Sequence, residues 1–431
     1  MIPLALDEIR ALCPGTLTAA HGVERVTGVE IDSRQVGPGD LFVAVRGGVA
    51  YVDEAFTSGA AAALVPDDAP AALAALGRAV RSRTQARVVA ITGSLGKTST
   101  KDILAALCRP LARTVAAPHG YNNEIGLPLT LTRVEPDTEI LIVEMGMRGP
   151  GQIRALASLA RPGLAVITSI GPVHLELLGS VENIARAKAE VLEALPPGGT
   201  AVVPARSPEL EPYLERRDID LVRFGAGGDV RLRSFRPPIL EAELDDITIT
   251  LDVSFRQPHQ AENMLAALAA YRALGLPLAR AAEGAREIAF SRWRGEEHEL
   301  PGGILVINDA WNANPDSMDA ALRNLSERAR AGGRRRVAVL GDMAELGERA
   351  AAYHRRVGET AVANVDLLVA VGALAQHYLE APVADSRRAE TWEDAVTQLR
   401  GLLRPGDVVL VKASRSLGLE RVVEALERVP A

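Results

Sequence analysis

Apolar and polar positions along the 431-residue chain change rhythm twice. Up to about Thr84, short apolar runs, "VTGVEI", "DLFVAV" and "AAALV", alternate with turn-forming stretches such as "GPGD". This is the pattern of a small mixed domain built from short strands. The polar, basic "RSRTQAR" that follows reads as a linker. From Val88 the runs "RVVAIT", "EILIVEMG" and "GLAVITSIG" are separated by helical segments. Strands alternating with helices predict a parallel sheet with right-handed crossovers. After the helix-like "AENMLAALAAYRALG", the segment around "SRWRGEEHEL" marks a second boundary. Three further buried-strand runs, "GILVIND", "RRVAVLGD" and "DVVLVKAS", predict another, smaller α/β domain. The expected domains are residues 1–84, 85–296 and 297–431, and no fixed-period repeat interrupts them.

Composition narrows the class. Apolar residues make up 48% and charged residues 24% of the chain, enough to build packed cores and too apolar for disorder. The formal charge of −7 argues against a general nucleic-acid binder while leaving room for a local positive pocket. Cys13 and Cys108 are far apart and form no metal pattern, which fits buried thiols in a reducing compartment. Asp7, Glu8 and Arg10 interrupt the region where a signal peptide needs an apolar core. No apolar run reaches membrane-spanning length. A cytoplasmic protein without membrane insertion is expected.

The chemistry is densest in "ITGSLGKTST", residues 91–100. Only Ser94 and Leu95 separate Gly93 from Gly96, against four residues in the common phosphate-binding loop. Context favours a phosphate site nonetheless. The loop follows an apolar run and precedes "STKDILAALC", where Ile103, Leu104 and Leu107 have helical spacing. Backbone N–H groups of a glycine loop converge at a helix start, where the helix dipole adds positive charge. Lys97 could neutralise outer phosphates, and Thr98 could offer its hydroxyl to Mg2+. The alternative is a strand-to-helix turn with a solvated lysine.

Four apolar residues lead to Glu144 in "EILIVEMG", placing its carboxylate at the end of a buried strand, as a metal ligand or as a surface charge. His174 lies in the loop "GPVHLE" after another strand. In "SVENIARAKAEVLEAL", Ser180 can cap a helix whose stripe is Ile184, Val191, Leu192 and Leu195. Lys188 shares that inward face, so its ammonium either snorkels outward or is paired or modified. Asn263 could read an adenine edge or cap a helix. Arg294 could clamp phosphate or be a linker charge, and Asp309 could bond a ribose hydroxyl or cap the turn "NANPDS".

The ordered set "ITGSLGKTST", "GYNNEIGLPLTL", "VEMGMRGPGQI", "GPVHLELLGSVENIARAKAE", "NDAWNANPDSMDAAL", "VAVLGDMAELGE" and "VKASRSLGLERVVEAL" strongly resembles the Mur ligases of peptidoglycan synthesis. Within that family it is most similar to the dipeptide-adding ligases, and the short glycine spacing is the family's own form of the loop. The resemblance implies a UDP-sugar-binding N-terminal domain, a central P-loop ATPase domain with a mainly parallel sheet, and a C-terminal Rossmann-like domain. It implies an ATP-dependent, ADP-forming ligation of UDP-N-acetylmuramoyl-tripeptide to D-alanyl-D-alanine by a monomer.

By the same resemblance, Gly93, Ser94, Gly96, Lys97, Thr98 and Ser99 bind ATP phosphates, while Asn263, Arg294 and Asp309 contact adenine, phosphate and ribose. Thr98 and Glu144 would serve one Mg2+. His174 and Lys188 would serve a second, with Lys188 carrying a carbamate. Lys97, Glu144, His174 and Lys188 would form the catalytic set. Ser33, Arg34, Asn122, Asn123, Asn312, Asn314, Lys412 and Arg415 would contact the other substrates. Four departures stand out. The family's Asp-Gly-His after "LFVAVRGG" is missing, Trp311 replaces a usual tyrosine, and Ala413 and Gln260 replace a usual glycine and asparagine.

Overall fold

The computed structural model describes residues 1–173, 175–330 and 332–428. The chain forms two compact units. One comprises Met1–Ser169, Arg186–Ser254 and Glu262–Ala289; the other comprises Ile170–Ala185, Phe255–Ala261 and Phe290–Ala431.

The first unit holds a two-stranded ladder, Leu4–Ala5 with Arg25–Val26, a small sheet and a large one. The small one has the order Gly15–Ala19, Ala62–Pro66, Asp40–Val43, Gly28–Glu30, parallel except for its first pair. In the nine-stranded sheet, Arg87–Thr92 lies between Leu164–Ile167 and Ile140–Glu144, all parallel. Ile140, Leu141, Ile142 and Val143 are wholly buried, as expected of a strand covered on both faces. The helix Lys97–Cys108 follows the glycine loop and turns Ile103, Leu104 and Leu107 inward with no exposure. Burying each such side chain contributes about 1.5–3 kcal/mol.

The sheet is not parallel throughout. Val230–Arg236, Ile239–Leu244 and Ile247–Asp252 form an antiparallel meander at its edge. The alternating runs "VRLRSFR", "ILEAEL" and "ITITLD" carry the period of half-exposed strands and are joined by tight turns, so no crossover helix is needed.

The second unit is built on six strands rather than the three apolar runs identified by pattern. Their order is Glu296–Leu300, Ile304–Asn308, Val408–Lys412, Arg336–Gly341, Leu367–Val371, Asp385–Ala389, and only the first pair is antiparallel. Both outer strands are polar, "EEHEL" and "DSRRA", because an edge needs less apolar cover. Leu322, Leu325 and Val357 pack in the core on one side, and Leu399, Val422 and Val423 in the core on the other. Three of the parallel strands end just before Asp309, Asp342 and Ala413, which gathers the loops that follow at one edge of this sheet.

Candidate active site

The glycine loop in the first unit is rigid for identifiable reasons. Gly93 has φ +145°, and a Cβ there would lie 2.0 Å from Thr168 Oγ1 and 3.0 Å from the backbone nitrogens of Thr168 and Ser169. Gly96 has φ +78° and caps the helix Lys97–Cys108; a Cβ there would lie 2.1 Å from Asn263 Oδ1. The end of the neighbouring strand braces the loop. Ser94 N–H donates to Ser169 O at 2.8 Å, Leu95 N–H donates to Ser169 Oγ at 2.8 Å, and the Thr168 hydroxyl donates to Leu95 O. Ser94 and Ser99 are buried beside this frame. Thr168 and Ser169 were not among the expected site residues, although "AVITSIG" ends a strand in the same way as the glycine loop's own strand.

Three expected residues meet below the loop. Thr98 and Glu144 are each 2% exposed. The Thr98 hydroxyl donates to Glu144 Oε2 at 2.8 Å, and Asn122 Nδ2 donates to Glu144 Oε1 at 2.8 Å. The carboxylate thus has a donor on each oxygen, which is what makes its burial tolerable. Lys97 Nζ folds back to Gly93 O at 2.8 Å and Ser94 O at 3.3 Å.

Lys188 is buried on the stripe formed by Ile184, Val191 and Leu192. Its ammonium does not snorkel outward; it donates to Gly93 O at 2.9 Å. Burial, reinforced by repulsion from Lys97, pushes its pKa well below the usual lysine range. Ser180 Oγ accepts from Asn183 N–H at 3.3 Å at the start of the helix Val181–Glu193. His174 lies outside the described residues. Among the described residues, no three His, Cys, Asp or Glu side chains cluster as metal ligands.

Asn263 corrects one reading. The helix that carries it begins at Pro258, so Asn263 lies well inside the helix and cannot be its cap. Its amide instead faces Gly96, at the phosphate loop.

Elsewhere in the same unit, Asn123 helps line a cleft of about 200 Å3 with Ile31, Val45, Arg46, Tyr121 and Leu129. Asn123 Oδ1 accepts from Gly126 N–H at 2.9 Å, which fixes the loop. Tyr121, under Arg133 at 5.5 Å, and Arg46, in a left-handed conformation at φ 44°, were not anticipated. Tyr121 adjoins the motif that pointed to Asn122 and Asn123. Ser33 is buried and does not line the cleft. Arg34 donates through Nε and Nη2 to both oxygens of Asp32, at 2.8 and 2.7 Å, holding that carboxyl far below the usual carboxylate range.

The remaining expected residues lie in the second unit. Asp309 accepts from buried Lys412 Nζ at 2.6 Å, and the same ammonium donates to Asn312 O at 2.9 Å. The next turn is capped by Asn314, whose Oδ1 accepts from Ser317 N–H at 3.0 Å, and not by Asp309. Arg294 lies 6.0 Å from the Trp311 ring centroid. Ala413 is fully buried and does not adopt a left-handed backbone, so its methyl fits where glycine is usual; it fills the space beside Gly341.

A glycine loop between a central parallel strand and a helix, with a lysine, a threonine and a strand-end carboxylate gathered beneath it, defines the class of phosphate-loop α/β proteins. Residues 91–271 match the Mur ligase middle domain, and residues 293–415 match the Mur ligase glutamate ligase domain. The chain is 37% identical to the UDP-N-acetylmuramoyl-tripeptide–D-alanyl-D-alanine ligase of Mycobacterium tuberculosis, covering 99% of this chain and 98% of that protein. Its fold superposes on MurF from Acinetobacter baumannii with a TM-score of 0.87 at 27% identity, covering 99% of each chain. It superposes on MurF ligase from Thermotoga maritima in complex with ADP with a TM-score of 0.80 at 29% identity, covering 94% of this chain and 97% of that one. This chain belongs to the Mur ligase family.

Proposed function

We propose that this protein is an ATP-dependent ligase that joins D-alanyl-D-alanine to UDP-N-acetylmuramoyl-tripeptide through an acyl phosphate, releasing ADP and phosphate. The observation that carries this reading is a full-length match, at 37% identity, to a ligase named for that reaction. The domains would be residues 1–84 for the UDP-sugar, 85–296 for ATP and 297–431 for closing the site, in a cytoplasmic monomer. No helix among the described residues is long and apolar enough to cross a membrane.

A carboxylate is a poor electrophile, so the tripeptide's terminal carboxylate oxygen first attacks the γ-phosphorus of ATP and ADP leaves. The dipeptide amine then attacks the acyl carbon, loses a proton, and expels phosphate as the C–N bond forms. The first step brings two anions together, so the site must supply positive charge where it develops. Gly93, Ser94, Gly96 and Ser99 would cradle the phosphates through the loop backbone. Lys97, which now donates to the loop carbonyls, would turn to the outer phosphates. Asn263, Arg294 and Asp309 would hold the rest of the nucleotide.

Mg2+ fits the buried oxygen pair of Thr98 Oγ1 and Glu144 Oε2, since a nucleotide-bound Mg2+ needs only one or two carboxylates; it would neutralise charge on the phosphates. Lys188 and His174 would complete a second site. An ammonium at Lys188 opposes a cation, but its depressed pKa supplies the neutral amine that can attack CO2, losing a proton and becoming a carbamate with two oxygen ligands. Ser33, Arg34, Asn122, Asn123, Asn312, Asn314, Lys412 and Arg415 would orient the peptide substrates.

The test is phosphate release and product formation with ATP, D-alanyl-D-alanine and tripeptide precursors carrying either lysine or diaminopimelate at the third position. Pentapeptide product with one of them is expected. Absence of product with both defeats the reading.

A further inference from the structure

At the loop edge of the second unit's sheet, two tryptophans are brought together by strand register. Glu296 pairs with Asn308 across the antiparallel hairpin, so Trp293 and Trp311 lie equally far beyond that pair on facing chains. Their rings stack at 5.8 Å with an interplanar angle of 19°. The adjacent strand Val408–Lys412 runs parallel to Ile304–Asn308 and delivers Arg415 to the same place. The Arg415 guanidinium lies 4.6 Å from the centroid of Trp293 and 5.7 Å from that of Trp311. Its Nη1 donates to Glu420 Oε1 at 2.5 Å.

Each part is costly to build without a purpose. Trp293 holds a left-handed backbone at φ 62°, a strained conformation for a bulky residue. Gln257 Nε2 anchors the same turn by donating to Gly295 O at 3.2 Å. Glu420 is 4% exposed, and its second oxygen is buried with no hydrogen-bond partner. The arginine side chain itself keeps 45% of its surface in solvent. A long, flexible cation is thus fixed on its face by an indole and at one end by a carboxylate, with donors left over.

We propose that Trp293 and Glu420 are positioning residues that hold Arg415 ready to receive the carboxylate of the incoming dipeptide. This rests on the ligase reading above. The dipeptide uses its amine as nucleophile, so its carboxylate is the charged handle left for recognition, and a planar guanidinium matches a carboxylate in two-pronged geometry. Glu420 already neutralises one charge, which suits a singly charged ligand better than a triphosphate. The two indoles beside the guanidinium offer apolar surface to the dipeptide's methyl groups.

The test is steady-state kinetics of the full-length enzyme with each of the three substrates varied in turn. Trp293→Leu should raise the KM for D-alanyl-D-alanine about tenfold, with kcat and the other two KM values within about twofold, because losing the cation–π platform weakens binding at Arg415 alone. Trp293→Phe, which keeps an aromatic face, should recover most of that loss, and Glu420→Gln should raise the same KM. An unchanged dipeptide KM, a common rise in all three KM values, or no recovery with phenylalanine overturns the positioning role. If Trp293→Leu does not fold, Glu420→Gln decides alone: an unchanged dipeptide KM again overturns it. A wild-type enzyme that ligates no dipeptide instead defeats the ligase reading.

Discussion

Lys97 and Lys188 donate to the same oxygen, Gly93 O, at 2.8 and 2.9 Å. Burial lowers the proton affinity of Lys188, and repulsion between the two ammonium groups on one carbonyl adds to it. The relationship links the phosphate loop to the helix Val181–Glu193, and in the proposed mechanism the two lysines would have different tasks, Lys97 at the nucleotide phosphates and Lys188 as the amine that takes up CO2.

If Lys97 supplies charge to the transferring phosphoryl group, Lys97→Ala should lower kcat at least about a hundredfold, as loss of one transition-state charge contact does elsewhere. Folding should survive, because Gly93 O keeps its bond from Lys188. Unchanged urea denaturation with near-normal ligation would count heavily against the proposed role.

For Lys188 the sharper measurement is chemical rescue. Removing bicarbonate and CO2 should depress ligation by the wild type. Lys188→Ala should lose activity by about two orders of magnitude or more and regain part of it with acetate or formate, which return carboxylate oxygens to the vacated space. Insensitivity to bicarbonate together with no rescue would leave the carbamate without support.

Much of this site was legible because its signals are local. The change from strand period to helix period around residues 91–100 locates the loop, and the spacing of Ile184, Lys188 and Val191 places a lysine on an apolar face without any structure. What local pattern lacks is the partner. Gly93 O lies 95 residues from Lys188, and a backbone carbonyl has no sequence signature. The same reason hid Thr168 and Ser169 as braces, and the register that joins Trp293 to Trp311. Of the two alternatives for Asn263, capping fails because the helix already begins at Pro258, a favoured first helical residue that lies ahead of the alanine-rich apolar run. In the fold, strands with continuous apolar runs were visible, whereas "DSRRA" was not, since an edge strand can be stabilised by backbone pairing alone.

The two loop glycines should differ in tolerance. Gly96→Ala places a methyl against the end of the Asn263 side chain, which can swing aside, leaving mainly the strain of a left-handed alanine, about 1–2 kcal/mol. Gly93→Ala presses a methyl on the backbone nitrogens of Thr168 and Ser169, which are fixed in a strand end, and should cost more, about 3 kcal/mol or above. Denaturant unfolding and nucleotide affinity should both rank Gly93→Ala as the worse. The reverse order would mean that Asn263, and not the neighbouring strand, sets the loop's shape.

His354 gives the second unit a built-in acid sensitivity. Its ring is completely buried; Nε2 accepts from Met343 N–H at 2.9 Å, and Nδ1 lies 2.7 Å from Ala350 O, to which it donates. Burial lowers its pKa, against partial opposition from the Ala350 bond and Asp342, with His377 acting in the same direction as burial. A proton on Nε2 would also set two N–H groups against each other at Met343. The sign follows from proton counting: between the lowered native value and the unfolded value of about 6.5, the unfolded chain binds more protons, so stability falls as pH falls through that window. The limiting slope is about 1.4 kcal/mol per pH unit. His354→Leu should be less stable at neutral pH because Met343 N–H loses its acceptor, by about 1–3 kcal/mol. It should also lack this group's contribution to the acid slope, so the gap between wild type and variant narrows as the medium is acidified from about pH 7.5 to 5.5. Urea midpoints measured across that range check both parts, and a gap that stays constant would show that His354 does not titrate there.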